Sequence, residues 1–341
     1  MHDTDALAAR DFRPGFPAGG TPARYLPLAL KAAVTVTVLV LLLSRADWPG
    51  LAARLSGASP GLLLLAFALN VASVLLAAER WLWAAASGVR FSRWTAYRLM
   101  LASLFFGQVL PGGLGGDVVR GWLAHRAGCP AATAVTAVVL DRLLALAGVI
   151  LLLFLGLPHL MATAPAALAW AAPLATLGLA LAVALGLQAD RLPLPSALRR
   201  PALERPLAEL ARLRAALATR ETALGFLCSV AVHLCTVGSV LASAHALGVP
   251  LSGWDALAVV PAAIFAAALP ISLNGWGARE GTMVAGLALY GVGAGEATLV
   301  SVMIGLSVMI ATLPGGLLWL SLDRVSTDRS LPPAHPPGTK P

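Results

Sequence analysis

Two short runs interrupt otherwise apolar sequence with residue types suited to binding an anion. They are Pro111-Gly112-Gly113-Leu114-Gly115-Gly116-Asp117-Val118-Val119-Arg120 and Pro270-Ile271-Ser272-Leu273-Asn274-Gly275-Trp276-Gly277-Ala278-Arg279-Glu280. In each, a Gly stands five residues after the Pro and an Arg nine residues after it. Gly-rich breaks leave backbone N–H groups unpaired at the start of the helix that follows, and those groups together with the helix dipole favour a phosphate or carboxylate. An Arg one turn further on supplies a planar fork that matches phosphate oxygens. The expected anion contacts are therefore Gly115, Gly116 and Arg120 in the first run, and Asn274, Gly275, Trp276 and Arg279 in the second. Trp276 has an alternative role, packing the tip of its own turn.

Asp141 and Arg142 lie within the long apolar stretch 131–157. Charge at membrane depth costs about 2.5–3.5 kcal/mol per residue on insertion scales and marks function by default. Neighbouring residues on a helix point about 100° apart, so Asp141 and Arg142 face different partners. Arg120 and Arg279 are the candidates for Asp141, while Asp117 or Glu280 would meet Arg142 or Arg279. Asp117, Asp141, Arg142 and Glu280 thus form either an ion network that pins the broken segments or a gate that leaves an Arg free for an anionic headgroup. Glu79 and Arg80 stand at the end of an apolar stretch and are expected to snorkel. Asn70 and His233 are expected to be hydrogen-bonding groups between helices.

The elements that position these groups follow from composition. The 341 residues are 58% hydrophobic and 12% charged, with a mean hydropathy of +0.82; a soluble domain carries roughly a quarter charged residues. An all-α integral membrane protein is implied. Six apolar stretches of about span length occur, near 26–44, 61–80, 131–157, 168–187, 223–246 and 296–320, and two more, 94–126 and 257–293, contain the breaks. The first residues carry no signal-peptide pattern, so the first span is expected to stay as an anchor.

The net charge of +8 comes mainly from Arg, concentrated around the first break and in the connection 188–222, whereas 158–167 and 245–255 hold no Lys or Arg. The positive-inside rule places the Arg-rich segments, and with them both termini, in the cytoplasm. That distribution reads as topology and points away from nucleic acid as a partner. If both breaks dip and return, six full spans and two re-entrant hairpins result; if both cross, eight spans. In the first case three crossings separate the hairpins, which then enter from opposite faces as an inverted repeat, the arrangement of many secondary transporters.

Around this core, residues 1–25 form a cytoplasmic segment, 26–322 the membrane domain and 323–341 a disordered tail. Leu207, Leu210, Leu213 and Leu217 recur at helical spacing in the 188–222 connection, which reads as an amphipathic helix on the inner surface. Trp48, Trp81, Trp83, Trp94, Trp170, Trp254 and Trp319 fall at span ends, where Trp favours the headgroup level. Cys228 and Cys235 are too far apart on one helix to bridge. No metal-site spacing, no other cofactor motif and no Gly-x-x-x-x-Gly-Lys-Ser/Thr run occurs.

The run Gly107 to Trp122, the step Leu140-Asp141-Arg142-Leu143 and the run Pro270 to Gly281 resemble, in order, the flippase-like membrane domain of the lysylphosphatidylglycerol synthases. The resemblance covers roughly 26–322 and implies translocation of a lipid or lipid-linked glycan, with Arg120, Asp141, Arg142, Arg279 and Glu280 on motif positions. Synthases of that family add a cytoplasmic domain that works from aminoacyl-tRNA. Only residues 323–341 follow the last stretch here, so lysyl transfer is not expected. The expected partners are membrane lipids with anionic headgroups in the cytoplasmic (inner) membrane, with a homo-oligomer or an envelope-synthesis enzyme as further partners. Three alternatives stand beside translocation: a small-anion channel or exchanger, suggested by Gly277-Ala278-Arg279-Glu280-Gly281; a non-catalytic partner of an envelope enzyme; and an enzyme, against which the lack of a carboxylate pair speaks.

Overall fold

The computed structural model describes residues 33, 36–37, 40, 48–86, 88–110, 115–191, 210–269 and 272–322. The expected segment 1–25, most of the expected span 26–44, residues 111–114 and 270–271 of the breaks, residues 192–209 of the Arg-rich connection and the tail 323–341 lie outside the described residues. The described residues form helices α1 (Trp48–Ser56), α2 (Pro60–Ala85), α3 (Arg93–Val109), α4 (Gly115–Arg126), α5 (Ala131–Thr163), α6 (Ala166–Gly186), α7 (Arg220–Ala246), α8 (Gly253–Ala268), α9 (Ala278–Leu287), α10 (Ala294–Thr312) and α11 (Pro314–Leu322). Five stretches are long and apolar enough to cross a bilayer: α2, α5, α6, α7 and α10 continued to Trp319.

Local signals start these helices where the apolar runs begin. Pro60 opens α2, where its missing N–H would have no intrahelical partner in any case. Thr219 caps α7 by accepting from the Thr222 N–H. At α8 the Ser252 side chain accepts from the Asp255 N–H and the Asp255 carboxylate accepts from the Ser252 N–H, a reciprocal cap.

The helices α2 to α5 recur in the same order as α7 to α10, with Pro60, Arg93, Gly115 and Ala131 answered by Arg220, Gly253, Ala278 and Ala294. The packing repeats as well. α2 and α7 make the most extensive interface; α5 packs on α8 as α10 does on α3, and each broken pair, α3 with α4 and α8 with α9, packs leg against leg. The α2–α7 interface is close because small residues face it: Ser239 donates to the Ala66 carbonyl at 3.0 Å, and Gly225 leaves room for Leu144, Trp83 and the Arg80 carbonyl.

Each leg of the two broken pairs is shorter than a typical bilayer-spanning helix. α3 and α8 have 17 and 16 residues and α4 and α9 have 12 and 10, while a crossing of ~30 Å needs about 20. Dipping hairpins fit these lengths, and α2, α5 and α6 then supply the odd number of crossings that inverts the second repeat relative to the first.

Contacts at the two ends of the bundle follow the loop charges. At the end assigned outside, Arg54 pairs with Glu296 and donates to the Leu247 carbonyl. His159 Nε2 lies 2.7 Å from Asp255 and its ring stacks on Tyr290. At the end assigned to the cytoplasm, Arg214 pairs with Asp190, and Leu213 packs with Ala84, Leu140 and Leu144, so the described part of the connection does lay leucines on the bundle.

Asp255 yields a pH prediction. Burial works against its charge, but the hydrogen bonds from Ser252 and His159 outweigh that and hold its carboxyl below the ordinary 3.8. A depressed folded-state pKa gives stability that is complete above the ordinary value and lost as pH falls through the folded one. Thermal unfolding between pH 6 and pH 3 is therefore expected to show an acid-sensitive component that Asp255→Asn lacks. Equal acid sensitivity in both proteins contradicts the clasp.

Two expectations are corrected. Trp81 is not at the headgroup level: it is fully buried, among Ala77, Ala78, Leu99 and Leu123. Arg80 does not snorkel. It is buried and turned inward, while Glu79 accepts from the Tyr97 hydroxyl at 2.7 Å. Trp94, Trp170 and Trp254 are exposed at helix ends in keeping with a belt. The side chain of Trp48 lies outside the description.

Candidate functional site: two charge sets on facing breaks

Five charged side chains from α2, α4 and α5 converge at the first break. Asp141 accepts from Arg80 Nε at 2.7 Å and pairs with Arg120 at 2.9 Å. Arg120 reaches on to Asp117 at 3.0 Å, and Asp117 holds Arg142 at 2.7 Å. The order is Arg80, Asp141, Arg120, Asp117, Arg142: three cations alternating with two anions. Asp141 and Arg142 do face different partners, and the pairs Arg120–Asp141 and Asp117–Arg142 are among those expected. Arg80 is the member that sequence reasoning missed. Its place five residues before the end of α2 resembles a snorkelling position; the packing of α2 with α5 turns it inward onto Asp141.

Arg120 is the centre of this set. It is 1% exposed, its guanidinium carbon stands 4.4 Å from the Trp81 ring centroid, and Nη1 donates to Met100 Sδ at 3.1 Å. Close approach of α4 to α3 delivers it. Gly116 makes that approach possible, since a Cβ there would run into the Ser103 carbonyl oxygen, and the Ser103 hydroxyl donates to the Gly116 carbonyl at 2.7 Å. Gly115 faces Leu110 in the same way. The Arg120 Nε and Trp81 Nε1 donors are buried without an acceptor.

The second break builds a smaller, neutral set. Glu280 is fully buried, pairs with Arg279, and accepts the Gly277 N–H at 2.6 Å. That backbone donor at the start of α9 is therefore filled from within. Arg279 also donates to Ser301 on α10 at 3.2 Å and stacks on Trp276 at 4.8 Å. Gly305 leaves the space both occupy, because a Cβ there would strike them. A cavity of about 20 Å³, lined by Arg279, Ser301, Thr236 and apolar neighbours, adjoins this set; it has room for one water molecule.

The breaks touch. Asn274 adopts a positive φ of 50° and its Nδ2 donates to the Gln108 carbonyl, at the end of α3, at 2.9 Å. Gly275, at φ 82°, packs on Ala267. Among the described residues no ion pair joins the two charge sets, so the expected pairing of Arg279 with Asp141 does not form. Asn70 donates to Ser307 at 2.8 Å and His233 meets the Ala145 carbonyl at 2.9 Å, the interhelical bonds expected of them. Among the described residues no group of His, Cys, Asp and Glu could hold a metal, and the three cysteines are free.

Inverted broken helices carrying charge define a class, the multi-pass membrane proteins with a polar centre. Within that class the family is shown directly: the family described as Lysylphosphatidylglycerol synthase TM region matches residues 28–316. The chain belongs to that family. No curated protein matches it.

Proposed function

We propose that the protein translocates an anionic or lipid-linked substrate across the cytoplasmic membrane, its headgroup passing between the two breaks while the acyl chains stay in the bilayer. Both termini lie in the cytoplasm in this reading, which follows the Arg-rich loops. The observation that carries it is the contact of Asn274 with Gln108, which joins two broken hairpins, one beside a cluster of three Arg and the other bearing Arg279. Membership of a family whose membrane region is associated with lipid flipping supports it.

The two sets differ in depth. Asp141 stands ten residues beyond the inner end of α5 and Ser301 seven beyond the outer end of α10, roughly 15 Å and 10 Å at 1.5 Å per residue. A headgroup would thus meet the positive first set from the inner leaflet and Arg279 from the outer. Arg120 organises the inner set and Arg279 the outer, with Asn274, Gly275 and Trp276 at the tip between them. The chain has no nucleotide-binding Gly-Lys-Ser/Thr run, so a gradient or simple equilibration would drive the movement.

Reconstituted vesicles test this. Headgroup-labelled phosphatidylglycerol is expected to exchange between leaflets in vesicles containing the protein and not in empty ones. Chloride flux without lipid exchange would replace translocation by the anion-channel reading.

A further inference from the structure

Arg142 differs from every other member of the first charge set in being accessible. Its side chain is 53% exposed, whereas those of Arg120 and Asp141 are 1% exposed and that of Asp117 is 9%. Val135 and Val139, seven and three residues before Arg142 and so on the same face of α5, are exposed too, as is Val118 on α4. An Arg set in an apolar, lipid-facing seam costs several kcal/mol unless water or an anion meets it.

The charge count indicates which anion. Arg80, Arg120 and Arg142 stand against Asp117 and Asp141 alone, so the set carries one uncompensated positive charge. Its donors are in surplus as well, since Arg120 Nε and Trp81 Nε1 are buried with no acceptor. A phosphodiester carries one negative charge and only acceptor oxygens there. Its flanking acyl chains would lie along Val135, Val139 and Val118.

We propose that Arg142 is the residue that docks the phosphodiester of a phospholipid, and that Asp117, which accepts from Arg142 Nε, is an internal stand-in which the lipid displaces. This rests on the lipid-translocation reading and names the contact within it. Asp117 keeps one charged partner when displaced, because its other oxygen already accepts from Arg120 Nη2. Arg120 is then a positioning residue, stacked on Trp81 and paired with both carboxylates, and Arg142 the contact.

Binding measured apart from transport tests the proposal. Dihexanoyl-phosphatidylglycerol is titrated calorimetrically into the protein in an uncharged detergent, with inorganic phosphate as a second probe and the melting temperature recorded for each variant. Removing the competing carboxylate in Asp117→Asn is expected to tighten lipid binding about tenfold, and Arg142→Gln to weaken it about tenfold, the scale of one charge-assisted hydrogen bond. Phosphate is expected to bind more weakly than the lipid. Arg142→Gln changes an exposed side chain and leaves two cations against two anions, so it tests the contact even if Asp117→Asn melts early. Wild-type lipid affinity in Arg142→Gln, unchanged or weaker affinity in a folded Asp117→Asn, or tighter binding of phosphate than of lipid would each overturn the proposal. A protein that binds as expected but does not exchange lipid would instead overturn the translocation reading alone.

Discussion

Arg120→Ala is expected to destabilise the folded protein by about 3–5 kcal/mol, the usual consequence of removing one partner from a buried ion pair, and to abolish lipid exchange while membrane insertion persists. Among the described residues, the substitution removes the one group that forms an ion pair with both Asp117 and Asp141. Arg80 still serves Asp141 and Arg142 still serves Asp117, but the buried Arg120–Asp141 pair is gone and the more exposed Arg142–Asp117 pair is left to tie α4 to α5. The side chain also leaves a void against Trp81 and Met100. Arg120→Lys is expected to recover only part of the loss. An ammonium is a point charge and lacks the planar fork that spans two carboxylates while stacking on an indole. Thermal melting in detergent and headgroup exchange in vesicles check both substitutions; wild-type values for Arg120→Ala in either measurement contradict the role.

Arg279→Ala is expected to abolish exchange with a smaller loss of stability. Glu280 would remain fully buried with only the Gly277 N–H and the Ser301 hydroxyl as donors, and a carboxylate so placed is costly unless it neutralises. Arg279 is more accessible than Arg120, with 21% of its side chain exposed, so less of the effect is structural. Trp276 loses the cation it stacks on, which loosens the tip that holds Asn274 against Gln108. Exchange at the wild-type rate by a folded Arg279→Ala protein removes the second break from the passage.

How much of this was legible beforehand differs between backbone and side chains. The apolar stretches delimit α2, α5, α6, α7 and α10 to within a few residues, because a bilayer span has a fixed length. The inversion follows from counting crossings, and the loop charges order the ends that Arg54–Glu296 and Arg214–Asp190 later occupy. Asp141 and Arg142 announce themselves as charges in apolar sequence. Arg80 and Trp81 do not, since their position near a helix end has the same composition whether they face headgroups or the core. Their burial depends on long-range packing: Gly225 lets α7 close on Leu144 of α5, and Gly116 lets α4 approach α3. The filling of the Gly277 N–H by Glu280 is a local capping interaction, and the spacing of three residues between them could have disclosed it.

The central claim is that the substrate passes where the two breaks meet, and a reversible lock tests it most directly. Gln108→Cys and Asn274→Cys, introduced with Cys129, Cys228 and Cys235 replaced by Ser, are bridged with a short bis-methanethiosulfonate in vesicles containing labelled phosphatidylglycerol. The bridged protein is expected to stop exchanging lipid, and reduction of the bridge is expected to restore the rate of the unbridged double variant. Exchange at that same rate while the bridge is intact would contradict the account.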